Sequence, residues 1–162
     1  MATARTHSES IEIAATPAEV YALVSDVTRT GEWSPVCKEC WWDEADAPAP
    51  GDSPRLGAHF TGRNETPDRT WETRSQVVVA DPGREFAWVV GQGFVRWGYV
   101  LRALDGGAAT ELTETWEFTP EGLAAFEQRY GEDAGREIEA RTTMAHEGIP
   151  ATLAKIKDIA ES

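Results

Sequence analysis

The sequence predicts an α+β fold, in which a curved antiparallel sheet of about seven strands wraps around a long C-terminal helix, with two short helices between the first two strands. Three observations carry this expectation. Apolar and polar residues alternate from Gly57 to Phe118, interrupted only by tight-turn signals, which is the pattern of antiparallel strands with one buried face. Apolar residues then recur at a spacing near 3.6 from Asp133 to about Ala160, as in a helix that buries one stripe. A sheet face this rich in large aromatics also needs a cover, and only the last helix is long enough to provide one.

Taken in order, Ile11-Glu12-Ile13 is a short alternating strand. Thr16-Pro17-Ala18-Glu19 ends it and starts a helix: Thr16 suits the N-cap, Pro17 the first helical position, and Glu19 the return contact of a capping box. Val20, Leu23 and Val24 mark its apolar face, and a second short helix is expected from Val27 to Glu32, stopped near Pro35. Val36 to Trp42 reads as a strand, which would place Cys37 and Cys40, three residues apart, on opposite faces. The stretch from Asp43 to Pro54 is acidic, proline-rich and longer than most connections, so it is either a lid or a plain surface excursion.

The sheet region follows. A strand from Thr70 to Ala80 should put Trp71, Thr73, Ser75, Val77 and Val79 on one face. After a turn at Asp81-Pro82-Gly83 come Phe86, Trp88 and Val90; after one at Gly91-Gln92-Gly93 come Val95, Trp97, Tyr99 and Leu101. A turn at Asp105-Gly106-Gly107 leads to Leu112, Glu114, Trp116 and Phe118 on one face. Thr119-Pro120-Glu121 starts a helix carrying Leu123 and Phe126 that stops near Gly131, and Asp133 is expected to cap the last helix. The stripe of that helix is Ile138, Ala145, Ile149, Leu153 and Ile156, and Pro150 within it predicts a bend near Gly148-Ile149-Pro150.

Composition bounds the function. A length of 162 residues suits one domain spanning 1–162, and 41% hydrophobic content with seven Trp, three Tyr and five Phe excludes disorder. The formal charge of −13 disfavours nucleic acid and anionic membrane surfaces, and no apolar run is long enough for membrane insertion. The N-terminal residues lack an apolar signal-peptide core, so a cytoplasmic location is expected. Cys37 and Cys40 are the only cysteines. Without a second ligand pair they predict structural thiols and no metal site, with a metal or redox role as the alternative. No phosphate loop, dinucleotide fingerprint or serine-nucleophile elbow is present, and no cofactor is expected. Monomer and homodimer both stay open.

Ile11 to Tyr21, Asp26 to Pro35, Gly57 to Asn64, Trp71 and Thr113-Glu114-Thr115-Trp116-Glu117, in this order of elements, resemble the SRPBCC superfamily of START, pollen-allergen and polyketide-cyclase proteins. The nearest likeness is to actinobacterial-type polyketide cyclase/dehydrase-like members, and it spans nearly the whole chain. The resemblance implies a helix-grip fold with a cavity between sheet and C-terminal helix. It also implies that the last helix shifts to admit a ligand.

Alternation then names the expected lining: Phe60, Trp71, Trp88, Trp97, Tyr99 and Trp116 point inward, and such rings either fill a core or wall a pocket. Glu114 falls between Leu112 and Trp116, where a carboxylate is costly unless paired or protonated, and is the candidate proton-transfer group. Asn64 shares a face with Phe60, while Arg141 and Ile149 lie at the helix stripe, with Arg141 a candidate partner for Glu114. His146 is expected to be exposed or structural. Three functions remain: binding of a hydrophobic or aromatic small molecule, lipid-like or polyketide-like; a cyclase, aromatase or dehydratase using the same cavity; and a protein-interaction module of the chaperone-activator kind.

Overall fold

The computed structural model describes residues 3–162. Strand β1 (Arg5–Ile13) leads into α1 (Pro17–Val24), a 3₁₀ helix at Val27–Glu32, and strands β2 (Cys37–Trp42), β3 (His59–Thr66), β4 (Arg69–Asp81), β5 (Glu85–Val90), β6 (Val95–Leu104) and β7 (Ala109–Phe118). Helices α2 (Pro120–Tyr130) and α3 (Ala134–Ala160) follow. The seven strands form one antiparallel sheet in the order β1-β7-β6-β5-β4-β3-β2, so the chain returns to place its first strand beside its last. Helix α3 packs along β1 and β7 and touches α1 and α2, closing one side of the concave face. This is the helix-grip arrangement that the sequence predicts.

Local chemistry sets the element ends. The Thr16 hydroxyl accepts the Glu19 N–H at 3.2 Å and donates to the Glu19 carboxylate at 2.9 Å, with Pro17 at the first helical position. At α2 the Thr119 hydroxyl accepts the Gly122 N–H at 3.0 Å and donates to the Gly93 carbonyl at 2.8 Å, which ties the helix start to the β5–β6 turn. Gly122 lies so close to that turn that a Cβ would sit 2.2 Å from the Phe94 carbonyl oxygen.

Several expectations need correction. Strand β1 begins at Arg5, not Ile11, because it pairs with β7 from Arg5↔Phe118 to Ile13↔Thr110. Its first half carries polar residues on both faces, so it has a backbone ladder without an apolar rhythm. The register of β4 slips between Val77 and Val79, so the single alternating face expected through Val79 ends at Val77; beyond the slip Ala80 opposes the inward Phe86. In β2 the register slips between Cys37 and Glu39, so Cys37 and Cys40 share a face. Asp133 makes no side-chain cap bond to α3 and instead pairs with Arg136 at 3.3 Å. Helix α3 runs from Ala134 to Ala160 with Pro150 inside it, so the proline does not end the helix.

The long acidic connection is a surface excursion. Asp46 accepts the His59 N–H at 2.9 Å and pairs with Arg55, Asp43 pairs with Arg74, and the Tyr21 hydroxyl meets Ser53 at 2.9 Å. Among the described residues, none of 43–58 borders the cavity. No helix among the described residues is long and apolar enough to cross a membrane.

Candidate functional site

A cavity of about 430 Å³ lies between the concave sheet face and α3. Its wall follows from strand register. Trp88, Trp97 and Trp116 sit directly opposite one another on β5, β6 and β7, which makes one row of indoles across the sheet. Phe60 on β3 meets Trp88 edge-on at a centroid distance of 6.0 Å, and Tyr99 lies 5.9 Å from the same indole. Trp71 on β4 stands nearer the mouth. These six rings all border the cavity, so they wall a space as well as packing against one another. A volume of this size falls in the range of small-molecule sites, ~300–1,000 Å³.

Glu114 lies one step along β7 from Trp116, in the row formed by Phe86, Tyr99 and Glu9. It is only 4% exposed, and its Oε1 has no hydrogen-bond partner. Burial pushes its carboxyl well above the usual carboxylate range, and Glu9 on the neighbouring strand adds to the shift. The Tyr99 hydroxyl is likewise driven up, first by burial and then by Glu114. The expected partner does not arrive. Arg141 pairs with Glu137, one turn earlier on α3, at 3.5 Å, and its guanidinium lies 5.6 Å from the Trp71 and Phe126 ring centroids.

Arg141 therefore belongs to the mouth. Arg69 stacks over Trp71 at 4.3 Å, Arg129 lies over Tyr130 at 5.3 Å, and all three arginines border the cavity. Burial, followed by the nearby Arg69, lowers the Arg141 pKa below its ordinary value. Among the described residues neither Arg69 nor Arg129 has an ion-pair partner. Three guanidinium groups at one opening stand out in a chain of net charge −13.

Asn64 borders the cavity and donates to Thr73 Oγ1 at 3.2 Å and to the Trp71 carbonyl at 3.4 Å, which ties β3 to β4 at the mouth. Ile149 does not line the space. Its side chain, 1% exposed, belongs to the core under α3, and Ala145, Gly148 and Thr152 of the same helix face the cavity instead. The reason is angular: Thr152 lies a helical turn from Gly148, whereas Ile149 is rotated about 100° from it towards the sheet. Lining residues that the sequence does not single out as such include Trp33, Arg69, Arg129, Gly148, Thr152 and the wall positions of Cys37 and Cys40. Arg69-x-Trp71 was a usable signal, since residues two apart on a strand share a face. His146 is exposed and stacks on His7 at 3.9 Å.

Comparison with known proteins bears on this geometry. Residues 4–147 match the family described as polyketide cyclase / dehydrase and lipid transport. The chain belongs to this family. Its fold is shared with a Polyketide_cyc-like protein of Corynebacterium glutamicum, known from a solution NMR structure, at 53% identity over 99% of this chain and 94% of that one, with a TM-score of 0.68. The Zhui aromatase/cyclase of a Streptomyces species has 18% identity over 98% and 94% of the two chains and a TM-score of 0.66. The di-domain ARO/CYC BexL of the BE-7585A biosynthetic pathway has 19% identity over 98% of this chain and 50% of that one, also with a TM-score of 0.66. At these identities the last two show likeness of fold. No curated protein sequence matches the chain.

In this polyketide cyclase/dehydrase-family protein the one cluster with metal-ligand chemistry among the described residues lies away from the cavity. Asp43, Asp46 and His59 bring ligand atoms within 4.8 Å of one another, yet Arg74 and Arg55 already pair with the two carboxylates. Among the described residues the exposed large apolar side chains are Trp41, Leu56 and Val100, on β2, the long connection and β6.

Proposed function

We propose that the protein binds a hydrophobic or aromatic small molecule, lipid-like or polyketide-like, in this cavity, with an acidic or oxygen-rich end of the ligand at the arginine mouth. The observation that carries the reading is an indole-lined space of about 430 Å³ with a cationic opening on an otherwise acidic chain. Aromatic walls bury apolar surface, and guanidinium groups give a charge-assisted anchor at one end. The family description, which includes lipid transport, supports the same reading. We infer a cytoplasmic location, a compartment in which the thiols of Cys37 and Cys40 would stay reduced.

Titration with two environment-sensitive probes, one neutral and one carrying a sulfonate, tests it. Both should bind near-stoichiometrically and change tryptophan emission. Arg141→Gln should weaken the sulfonate probe about tenfold, equal to ~1.4 kcal/mol, and leave the neutral probe unchanged. Unchanged emission with either probe would overturn the proposal.

A second reading, a cyclase or dehydratase, is favoured by Glu114. A buried carboxyl that keeps its proton above the usual range can donate to a carbonyl oxygen of a folded polyketone, while the indole walls hold the chain in a reactive shape. Glu114→Gln should then preserve ligand binding and lower turnover of a poly-β-ketone surrogate by ~10²–10⁴-fold. Equal turnover by parent and variant would leave binding alone.

A further inference from the structure

In a regular strand residues three apart point to opposite faces, yet the thiols of Cys37 and Cys40 approach to 3.3 Å. The register explains it. Cys37 pairs with Asn64, Glu39 with Arg63 and Cys40 with Gly62, so four residues of β2 run against three of β3 and Lys38 is the extra one. Because Asn64 and Gly62 share a face, their two cysteine partners do as well.

Two glycines build this arrangement. A Cβ on Gly62 would stand 3.2 Å from the Cys37 sulfur and 3.3 Å from that of Cys40, so the missing side chain is the niche that holds the sulfurs side by side. A Cβ on Gly31 would stand 2.2 Å from the Lys38 carbonyl oxygen, so the bulged backbone is seated against the 3₁₀ helix. The Ser34 hydroxyl also accepts the Cys37 N–H at 2.8 Å. Both sulfur-bearing residues border the cavity; Cys37 is half-buried and Cys40 buried.

We propose that Cys37 and Cys40 form a reversible dithiol–disulfide couple in the cavity wall, oxidised by a low-molecular-weight disulfide that reaches Cys37 through the cavity. A disulfide needs an S–S separation of about 2.05 Å, a modest side-chain rotation from the contact already present. The Cys40 contact draws the Cys37 thiol below its ordinary pKa against the opposing effect of burial, and pushes Cys40 up, as burial also does. Cys37, the more exposed of the two, is the attacking thiolate, and the buried Cys40 is the resolving thiol. The Cys37 thiolate attacks one sulfur of the small disulfide, forming a mixed disulfide and expelling one thiolate. Cys40 then loses its proton and attacks the Cys37 sulfur, expelling the second thiolate. Two protein thiols and one small disulfide become one protein disulfide and two small thiols. Cys37 and Cys40 line the same cavity as Thr30 and Tyr99, so the state of the couple changes a wall that any occupant touches. The proposal holds whether or not the cavity binds the ligand class given above.

The test uses the full chain in oxidised and reduced glutathione at graded ratios, with acid quenching, alkylation and intact mass. The expected product is monomeric, has lost two hydrogens, carries no glutathione and has both cysteines protected together, and reduced dithiothreitol reverses it. C40S should accumulate one glutathione on Cys37, and C37S should react at Cys40 at least ~10-fold more slowly. Two alkylatable thiols persisting in excess oxidised glutathione, two attached glutathiones, or a disulfide-linked dimer would each overturn the couple. Equal reactivity of C37S and C40S would overturn the assignment of the attacking sulfur.

Discussion

Strands β7 and β2 border the same cavity and obey different rules. In β7 every second residue from Thr110 to Phe118 is buried, and the ladder to β6 runs without a slip from Ala109 to Phe118. In β2 one extra residue shifts the ladder to β3, and the burial pattern loses its period. The first strand takes its facing from periodicity. The second takes it from a local backbone feature held by glycines in other elements. Side-chain direction is therefore a property of the strand pair, and only an unbroken pair lets one sequence reveal it.

The largest expected effect breaks the regular end. Phe118 is fully buried and meets Phe126 edge-on at 4.9 Å, so Phe118→Ala should cost ~3–5 kcal/mol in chemical denaturation through lost transfer energy and a cavity. The bulged end should yield next. Gly31→Ala places a methyl group against the Lys38 carbonyl oxygen and should cost ~1–3 kcal/mol. It should also separate the two thiols, read as slower disulfide formation at unchanged thiol count. If Gly31→Ala leaves both stability and thiol reactivity as in the parent, the bulge is not seated as described.

A subtler effect sharpens the contrast within β7, where regularity places a carboxyl group at an inward position. The folded-state pKa of Glu114 is raised, so its protonated form contributes stability that is fully present below the unfolded carboxylate value of about 4.3. That stability is lost as pH rises towards the raised folded value, because the folded chain holds a proton that the unfolded chain has released. Glu114→Gln should remove this part of the pH slope and leave the variant relatively more stable at neutral pH. Parallel stability–pH curves for parent and variant would place Glu114 in contact with solvent. The smallest effect belongs to the polar half of β1: His146→Ala removes an exposed stacking partner of His7 and should change stability by no more than ~0.5 kcal/mol.

Legibility in the sequence follows the same division. The facing of Trp88, Trp97, Tyr99, Glu114 and Trp116 is readable because β5, β6 and β7 are paired without slips. The starts of α1 and α2 are readable because Thr-Pro fixes a cap and the first φ in one step. The first half of β1 is hidden because polar groups occupy both faces and its order comes from pairing with β7. Val79 and the cysteine pair are misplaced because a bulge has no period of its own. Ile149 is misplaced in the lining because an apolar stripe shows which side of α3 is buried, while the cavity, which Thr152 borders, lies at the edge of that stripe. Arg69, Arg129 and Arg141 are scattered in sequence and meet only when a hairpin tip and two helices converge.

The extra residue in β2 has a consequence at the rim of the sheet. An open sheet of seven strands leaves one side of β2 without a strand partner, a template on which another chain could lay down a strand beyond Cys37 and Lys38, which Ser34 and the 3₁₀ helix already cover. Lys38 interrupts that template with an exposed cationic side chain, whose Nζ turns back to the Pro35 carbonyl at 2.9 Å. An incoming strand that matched Trp41 and Trp42 would be out of step by Cys37. The irregularity that gathers two sulfurs on the inside thus guards the outer edge against propagation of the sheet from molecule to molecule.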